Sequence, residues 1–462
     1  MKNEKKIKVC IVNALFSPFM GGVEKHMLEL SKHLVKQGVE VHVMTGKLSD
    51  LSKEQNIEGI KIHRIECTEI RIPGLYPPPL VLSANVQESL AKLDEKYNFD
   101  IIHLQDRWFP DFDSVLIYAK TVNKPFIVTL HNARPVGIAL HYTVLGGLYD
   151  QVIGKQVLKS ADRIISVSNW AIGDVSKYGI PKSKFTYIPN GVEGSEYFVC
   201  TDPLKARQKA IRNKFNLTKG PLLLFVGRVI KQKGLEYLIK AMPEILTIMP
   251  EVQLVVVGKG DKLTELKTLV NKLKLNDNVK FPGFVDDASL RKLLSSADIF
   301  VLPSLWEVLP VAILEAMASG KPIVCTDAGG NRELVDHTNG IVVPKRNITA
   351  LAGAVISVLS NEQRMKQMGK TSRKKALEQF NWQTIAYNTI QVYKNEIELN
   401  KSSPKNANDK GLISMTNRLM KLRNGLGPVY LGNYNQSKRF IDKVSKSIKT
   451  IPKKINSMIY EQ

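Results

Sequence analysis

The stretch LLLFVGRVIKQKGLEYL, Leu222–Leu238, decides the fold. It begins with five apolar residues that suit a buried strand, passes through a basic loop at Gly227–Gly234, and continues at helical spacing. An unbroken apolar strand is typical of a parallel sheet that helices cover on both faces. Because this pattern of strand, loop and helix recurs along the chain, the sequence predicts an α/β fold.

The alternation runs in two blocks, which the polar segment Thr201–Lys219 separates. The strand-like runs are Lys8–Val12, Glu40–Met44, Ile60–Ile65, Ile101–Leu104, Phe126–Leu130 and Arg163–Val167, then Leu222–Val226, Leu254–Val257, Val279–Phe281, Ile299–Leu302, Pro322–Cys325 and Gly340–Val343. We predict two doubly wound, Rossmann-like domains, residues 1–199 and 200–381, with the carboxyl ends of their strands facing one cleft. A basic tail follows at 400–462.

Composition excludes several classes of protein. Of 462 residues, 44% are hydrophobic and 24% charged, which is ordinary for globular domains and excludes wholesale disorder. No apolar run reaches the ~18 residues that a membrane-spanning helix needs. The four scattered cysteines form no Cys-x-x-Cys pair, which argues against a zinc ribbon or a disulfide framework. The basic start reads as the approach to a first strand rather than a signal peptide. We therefore expect a cytoplasmic protein.

Two glycine-containing turns are candidate anion sites. Gly21 and Gly22 follow the first strand, where backbone N–H groups at a helix N-terminus can approach a phosphate; a tight turn without a ligand is the alternative. Arg228 and Lys233 place two cations on the loop after Gly227. A guanidinium fork and an ammonium suit a diphosphate, and a solvated basic loop is the alternative.

Carboxylates mark a third candidate site. Glu307 precedes Pro310, and Glu315 lies in an apolar helical stretch, where an ionised carboxylate is costly unless it is paired or binds a ligand. A vicinal diol such as ribose would satisfy it; a surface glutamate is the alternative. His131 ends a strand-like run and is by itself more typical of a structural histidine. Asp111–Asp113 is interpreted as helix capping, so no metal site is predicted.

Together these motifs resemble glycosyltransferase family 4, whose members are retaining enzymes with the GT-B fold. The resemblance covers about residues 7–398. It rests on Gly21–Glu24, His131, Val167–Asn169, Ile188–Val192, Gly227–Val229, Lys233–Gly234, Gly283–Val285, Glu307–Pro322 and Gly329–Glu333.

The resemblance implies a role for each matching residue. Arg228 and Lys233 would hold the nucleotide diphosphate, Glu315 the ribose and Glu307 the donor-sugar hydroxyls, with His131 beside the sugar. Further donor-binding positions would be Gly21, Gly22, Gly227, Phe284, Val285, Val308 and Leu309. No metal or other cofactor is implied. Residues 382–399 would cross back onto the first domain. Val308–Pro310 stands where the family often has Gly-Phe-Gly, and Pro310 has no N–H, which leaves the donor sugar open.

The tail has its own pattern. Residues 401–462 hold 13 Lys and Arg against 3 Asp and Glu. Leu412–Leu422 and Ser437–Ile451 are basic and amphipathic, which is typical of a helix lying on an anionic membrane, so we expect peripheral membrane contact through 411–451. A helix packed on the body and a disordered tail are the alternatives. The apolar stretch Val136–Leu148 could face lipid or belong to the core.

The sequence therefore predicts a retaining glycosyltransferase. It would move a hexosyl unit from a UDP- or GDP-sugar to a lipid, a lipid-linked glycan or a polysaccharide at the cytoplasmic face of the membrane. The alternative is an inactive sugar-binding or scaffold protein on the same fold. The net charge of +23 raises nucleic-acid binding as a third class. We expect no nucleic-acid partner, because the basic, aromatic-rich motifs of recognition modules are missing from the sequence.

Overall fold

The computed structural model describes residues 5–19, 21–48, 50–70, 80–83, 85–106, 112–132, 150, 154–198 and 211–402. Asp111, the stretch Val136–Leu148, the start of the segment Thr201–Lys219 and the membrane-contact region 411–451 lie outside the described residues. The chain divides into two compact units. Unit one comprises Met1–Ser166, Ile172–Ile188 and Ala386–Gln462, and unit two comprises Val167–Ala171 and Pro189–Ile385.

Unit one is built on a largely parallel sheet of strand order β3-β4-β2-β1-β6-β7-β8-β9, with β5 paired to β4. Its strands are β1 (Lys8–Val12), β2 (Glu40–Lys47), β3 (Glu54–Ile57), β4 (Ile60–Ile70), β5 (Leu80–Ser83), β6 (Ile101–Gln105), β7 (Phe126–Leu130), β8 (Arg163–Ser166) and β9 (Phe185–Tyr187). Its helices include α1 (Gly22–Lys36), α2 (Val86–Tyr97), α3 (Phe112–Thr121) and α4 (Lys155–Ser160), and α5 (Asn169–Ser176) begins in unit two.

One edge of this sheet departs from the parallel arrangement that the apolar runs predict. β3 pairs antiparallel with β4, and β5 pairs antiparallel with β4 on its later residues. Glu58 and Gly59, both with positive φ, join β3 to β4. A two-residue connection of this kind makes a hairpin, and a hairpin can only be antiparallel. The first three residues of β3 are polar and exposed, so the sequence contains no apolar run that would predict this strand.

Unit two has an entirely parallel sheet of strand order β12-β11-β10-β13-β14-β15. The strands are β10 (Leu222–Val226), β11 (Gln253–Val257), β12 (Val279–Gly283), β13 (Ile299–Leu302), β14 (Ile323–Thr326) and β15 (Gly340–Val343). The helices include α6 (Leu235–Ile248), α7 (Leu263–Lys272), α8 (Asp287–Ser296), α9 (Val311–Ala318), α10 (Asn331–Leu334), α11 (Ile348–Leu359) and α12 (Glu362–Gln379).

The central strands form the core of each unit. Every residue of β6, β7, β11, β13 and β14 is buried, as expected for strands with helices on both faces. Both strand orders place the first strand of the unit in the middle of the sheet, with the next strands added to either side. This order creates a switch point at the carboxyl end of the first strand, where such sheets bind ligands.

A last helix, α13 (Trp382–Ser402), belongs to unit one from Ala386 onward. Within that unit the Arg163 Nε lies 2.8 Å from the Glu396 carboxylate, and Asn400 Nδ2 donates to the Asn123 carbonyl oxygen. Tyr393 is fully buried. The helix is therefore an integral part of the packing of unit one.

Candidate active site

The switch point of unit two brings together two of the segments that the sequence analysis selected. β10 lies between β11 and β13, so the loops after β10 and β13 leave the sheet side by side. The first loop makes a 3-10 turn at Lys231–Lys233, and its Gln232 carbonyl accepts from the Leu305 N–H at 2.8 Å. The Gln232 side chain donates to the Trp306 carbonyl at 3.0 Å. These bonds fix the basic loop against the acidic one.

Lys233 and Glu307 form the central ion pair of this site. The Lys233 Nζ lies 2.5 Å from Glu307 Oε1, and both side chains are largely buried, at 14% and 7% exposed. The Ser304 hydroxyl donates to the same oxygen at 2.6 Å. Both contacts use Oε1, so among the described residues Oε2 of Glu307 receives no protein donor. A carboxylate held on one oxygen can accept a ligand hydroxyl on the other.

Two glycines keep the backbone around this pair close-packed. A Cβ at Gly258, after β11, would overlap the Gly227 carbonyl oxygen, and φ at Gly258 is 137°. A Cβ at Gly329, where φ is 58°, would overlap the Glu307 carbonyl oxygen. Only glycine allows both this backbone conformation and this close approach. The Gly-Gly motif at 329 is therefore explained by its contact with the Glu307 loop.

Glu315 is buried in α9 and is engaged by a residue that the sequence analysis missed. Its side chain is 5% exposed. The Tyr197 hydroxyl donates to Glu315 Oε1 at 3.1 Å, across 118 positions of the chain. Burial and the Glu315 charge raise the pKa of Tyr197, which keeps the phenol protonated and donating. Tyr197 thus holds one carboxylate oxygen of Glu315 in a fixed direction.

The remaining donor-binding candidates of unit two lie on exposed loops. Phe284 follows β12 and is 74% exposed, an unusual environment for a phenyl ring, while Val285 is half-buried. The Gly283 carbonyl just before them accepts from the Gly258 N–H at 2.8 Å, which ties this loop to the one after β11. Arg228 is exposed on the loop after β10.

Two motifs to which the sequence analysis gave no role, Ile188–Val192 and Gly329–Glu333, form hydrogen bonds near the Glu307 loop. Asn190 is buried and donates its amide N–H to the Leu309 carbonyl at 2.7 Å. Glu333 accepts from the Ser168 hydroxyl at 2.7 Å and from the N–H groups of Asn169 and Trp170 at 2.9 Å each. A carboxylate on two successive N–H groups at the start of a helix is a strong cap.

Trp306 is a further residue that the sequence analysis did not select. Its Nε1 is buried, and among the described residues it has no hydrogen-bond acceptor. Leaving a buried indole N–H unpaired costs free energy, and Trp306 immediately precedes Glu307. Its ring meets that of Trp170 edge to face, with centroids 6.4 Å apart. A ligand oxygen at this place would satisfy the indole.

In unit one, His131 lies at the end of β7 and is buried among polar side chains. Its Nε2 lies 2.7 Å from Gln105 Oε1, and its ring contacts the His26 ring edge to face at 4.5 Å between centroids. Burial, followed by the charges of His26 and His103, holds the pKa of His131 well below its usual range. His131 is therefore a neutral imidazole at physiological pH.

The Gly21–Gly22 turn begins α1, whose second turn carries His26. Gly21 is the N-cap, and a Cβ there would overlap the Glu24 carboxylate, whereas a Cβ at Gly22 would meet open space. Glu24 is itself buried, at 5% exposed. A carboxylate in the first turn of a helix interacts favourably with the positive end of the helix dipole, so Glu24 stabilises this turn.

In the described part of the chain, His, Cys, Asp and Glu side chains form no group of three or more that could hold a metal ion. Asp113, the described member of the Asp111–Asp113 motif, lies in the first turn of α3. Nor does that part of the chain contain a helix of the length and apolarity needed to cross a bilayer.

Comparison with known proteins identifies the family. Residues 20–195 match the model for Glycosyltransferase Family 4, and residues 207–375 match the model for Glycosyl transferases group 1. An uncharacterized glycosyltransferase of Methanocaldococcus jannaschii is 30% identical over 410 residues, which are 85% of this chain and 99% of the relative. The chain belongs to glycosyltransferase family 4. It is a glycosyltransferase with the GT-B fold.

Two further comparisons bear on this family 4 glycosyltransferase. It is 25% identical over 379 residues to a phosphatidyl-myo-inositol mannosyltransferase of Mycobacterium leprae, covering 81% of this chain and 92% of the relative. A solved structure of Anabaena HepE in complex with UDP has a TM-score of 0.66 at 19% identity, covering 84% of this chain and 100% of that one. The second likeness shows the fold.

Proposed function

We propose that the chain is a retaining glycosyltransferase that transfers a hexosyl unit from a UDP- or GDP-sugar to a lipid, a lipid-linked glycan or a polysaccharide. The observation that carries the proposal is the Lys233–Glu307 pair at the switch point of unit two, with Glu307 Oε2 left for a ligand hydroxyl. Cation and carboxylate side by side match a donor whose charged diphosphate adjoins a polyhydroxylated sugar.

Each proposed role follows from the chemistry of its residue. Lys233 and Arg228 bind the diphosphate and stabilise the negative charge that develops on the leaving group. Glu315 accepts hydrogen bonds from the ribose hydroxyls, and Tyr197 orients it. Glu307 accepts hydrogen bonds from the donor-sugar hydroxyls.

The other proposed contacts are weaker or less specific. Phe284 and Val285 frame the base, and an exposed aromatic ring is suited to stacking. The backbone at Gly227, Val308 and Leu309 lines the donor. In unit one, the N–H groups at Gly21 and Gly22 approach phosphate, and His131 contacts the donor sugar. No metal or other cofactor takes part in this proposal, because the basic residues neutralise the diphosphate.

The proposal also includes a lipid acceptor and a location at the membrane. The similarity to a phosphatidyl-myo-inositol mannosyltransferase supports a lipid acceptor, and the basic amphipathic pattern of 411–451 supports a membrane location on the cytoplasmic side. Four lysines on that pattern, Lys438, Lys443, Lys446 and Lys449, would each contribute about 1 kcal/mol at an anionic surface. Buried apolar side chains would supply the rest of the affinity.

Thermal unfolding with nucleotides tests the donor site. We expect the midpoint to rise with UDP or GDP but not with TDP, ADP or CMP, with or without Mg²⁺. At about 100 times the dissociation constant the gain is about 2.7 kcal/mol. Glu315→Ala should lose the shift. A shift in that variant equal to the wild type would refute the site, and no shift with any nucleotide would favour the inactive scaffold.

Two further experiments test the retaining mechanism and the membrane location separately. If a nucleotide binds, the matching nucleotide-sugars are incubated with lipid extracts, and NMR of the product gives the anomeric configuration. Retention supports the proposal, and inversion refutes it. Co-sedimentation of the full chain with phosphatidylglycerol vesicles tests the membrane contact, and replacing the four tail lysines by glutamate should abolish it.

A further inference from the structure

Two buried histidines on neighbouring strands of unit one stand between two carboxylates. His42 lies on β2 and His63 on β4, and they are 0% and 3% exposed. His42 Nδ1 lies 2.9 Å from His63 Nε2. The other nitrogen of each ring faces a carboxylate: His42 Nε2 lies 3.0 Å from Glu40 Oε1, and His63 Nδ1 lies 2.6 Å from Glu54 Oε2. These four side chains, called the histidine row below, are joined by three contacts.

The contact between the two rings runs edge to edge. The ring centroids are 5.1 Å apart, and the ring planes differ by 15°. The centroid separation exceeds the separation of the facing nitrogens by as much as the size of two imidazole rings allows, so both nitrogens lie on the line between the centroids. Each nitrogen therefore points in its ring plane at the other, as a hydrogen bond requires.

The three contacts need three hydrogens, and two neutral rings supply only two. Ionised carboxylates only accept, and each neutral imidazole carries one N–H. If both rings donate to the carboxylates, two nitrogen lone pairs face each other at 2.9 Å. If one ring donates to the other instead, a nitrogen lone pair faces a carboxylate oxygen. The histidine row is complete only with one additional proton, whichever of its four groups carries that proton.

The contact between His63 and Glu54 is the one that opens at the lowest cost when the additional proton is absent. Glu54 is 67% exposed, whereas Glu40 is 25% exposed and is also held by Lys61 at 2.6 Å. His42 then donates to Glu40, and His63 Nε2 donates to His42. A lone pair on His63 Nδ1 is left facing the Glu54 carboxylate, which water solvates once it turns away.

Nearby charges and burial determine the pH at which the additional proton binds. Burial lowers the pKa of His63, Glu54 opposes this effect, and Lys96 and Lys61 add to it. Burial also lowers the pKa of His42 to about 4, and the positive charge of His63 contributes to that value. The pKa of about 4 therefore belongs to a second proton, which binds after the first.

The other groups that face the two rings are aromatic side chains and a thiol. Tyr97 and Phe99 cover His42, with ring centroids 4.2 and 5.0 Å from its own. Cys10 on β1 lies opposite His42 in the sheet, and burial raises the pKa of its thiol, so this thiol adds no charge. The two carboxylates and the two lysines are therefore the charges that act on the histidine row.

We propose that the histidine row is a proton-dependent lock at the edge of unit one, which holds Glu54 against His63 when one additional proton is bound and releases it when that proton leaves. The lock is closed in mildly acidic solution, between about pH 4 and 6.5, and opens as the pH rises. Glu54 begins β3, the edge strand of the sheet, so its release loosens the β3–β4 hairpin. This inference does not depend on the proposed function.

NMR of the imidazole nitrogens counts the protons. The full chain is labelled with [¹⁵N]histidine and titrated from about pH 4.5 to about pH 8, the range in which histidines change charge. The signals of His42 and His63, assigned by their loss in His42→Asn and His63→Asn, should change together in one step that takes up one proton.

Glu54→Gln is the decisive variant. A glutamine amide donates to His63 Nδ1, so the three contacts then need no additional proton. We expect the midpoint of the joint step to fall by about 1–3 pH units, because the carboxylate charge is lost. Glu66→Gln, which changes an exposed carboxylate on β4, is the matched control and should titrate as the wild type does.

Hydrogen exchange of the β3 amides tests the release of Glu54. After correction for intrinsic rates, these amides should exchange more slowly at about pH 5.5 than at about pH 7.5 in the wild type and in Glu66→Gln. In Glu54→Gln the corrected rates should be equal at the two pH values.

Three results would overturn the inference. The first is independent uptake of two protons by His42 and His63, or of none, over the titrated range. The second is a wild-type midpoint in Glu54→Gln. The third is a joint step without any change in the exchange of β3. Glu54 and Glu66 are both exposed, so neither variant removes packing on which folding depends.

Discussion

Lys233 Nζ and Glu307 Oε1 lie 2.5 Å apart although 74 positions separate them in the chain. The pair joins the loop after β10 to the loop after β13, at the point where the sheet of unit two reverses its strand order. A buried ion pair of this kind costs desolvation that the mutual attraction offsets only with good geometry. Its place at the ligand-binding edge of the sheet favours a role in binding over one in stability.

Removing the cation should weaken nucleotide binding. We expect Lys233→Ala to lower the affinity for UDP or GDP by about 10–100-fold, because a hydrogen bond to a charged group contributes about 1.5–3 kcal/mol. Titration calorimetry measures the change. Lys231→Ala, on the same turn but exposed, is the matched control and should bind as the wild type does. Equal losses of nucleotide affinity in both variants would mean that the total positive charge of the loop, and not the position of Lys233, determines binding.

Tyr197 should contribute to nucleotide binding by orienting Glu315. Tyr197→Phe keeps the ring but removes the hydroxyl that donates to Glu315 Oε1. Because the carboxylate then loses the hydrogen bond from Tyr197, we expect nucleotide affinity to fall, by less than in Glu315→Ala. Tyr237→Phe, on α6 of the same unit, should have no effect. The same calorimetric titration checks all three, and wild-type affinity in Tyr197→Phe would remove the orienting role.

Glu333 should increase the free energy of unfolding. Glu333→Ala removes the acceptor of the Ser168 hydroxyl and of two backbone N–H groups. We expect a loss of about 1–2 kcal/mol, the usual cost of a lost helix cap, seen as a fall of several degrees in the unfolding midpoint. Glu362→Ala serves as an exposed control, since that side chain is 72% exposed. A midpoint equal to that of the wild type would contradict the capping role.

The buried histidines should make stability depend on pH. Burial lowers the pKa of His103 to about 3, against about 6.5 in the unfolded chain. Between these values the unfolded state binds more protons, so stability is fully present above about pH 6.5 and is lost as the pH falls. The slope from this histidine is at most about 1.4 kcal/mol per pH unit. Denaturant unfolding at pH 7 and 5 measures it, and His103→Asn should flatten the dependence.

Nucleotide binding should not require a divalent ion. We expect the dissociation constant for UDP or GDP to be the same in excess EDTA and in Mg²⁺, because Arg228 and Lys233 supply the positive charge to the diphosphate. Titrations in the two buffers are compared at equal ionic strength. Binding that depends on Mg²⁺ would contradict the metal-free mechanism.

The sequence by itself determined the alternating α/β architecture and the chemical types of the site residues. Runs such as Leu222–Val226 are apolar throughout, because a strand covered on both faces by helices must be apolar on both faces. The short hairpin strand Glu54–Ile57 could not be predicted in this way, because its first three side chains are polar and exposed. Family motifs gave Lys233, Glu307 and Glu315 as candidates, but not the groups that orient them.

Only the tertiary structure decided which side chains meet. Tyr197 reaches Glu315 across 118 positions, Glu333 reaches Ser168 across 165, and Tyr393 reaches His103 across 290. No spacing in a sequence encodes such pairs, since they arise from the order in which strands and helices are laid into a sheet. Burial among those neighbours also keeps His103 neutral, because desolvation lowers its pKa to about 3.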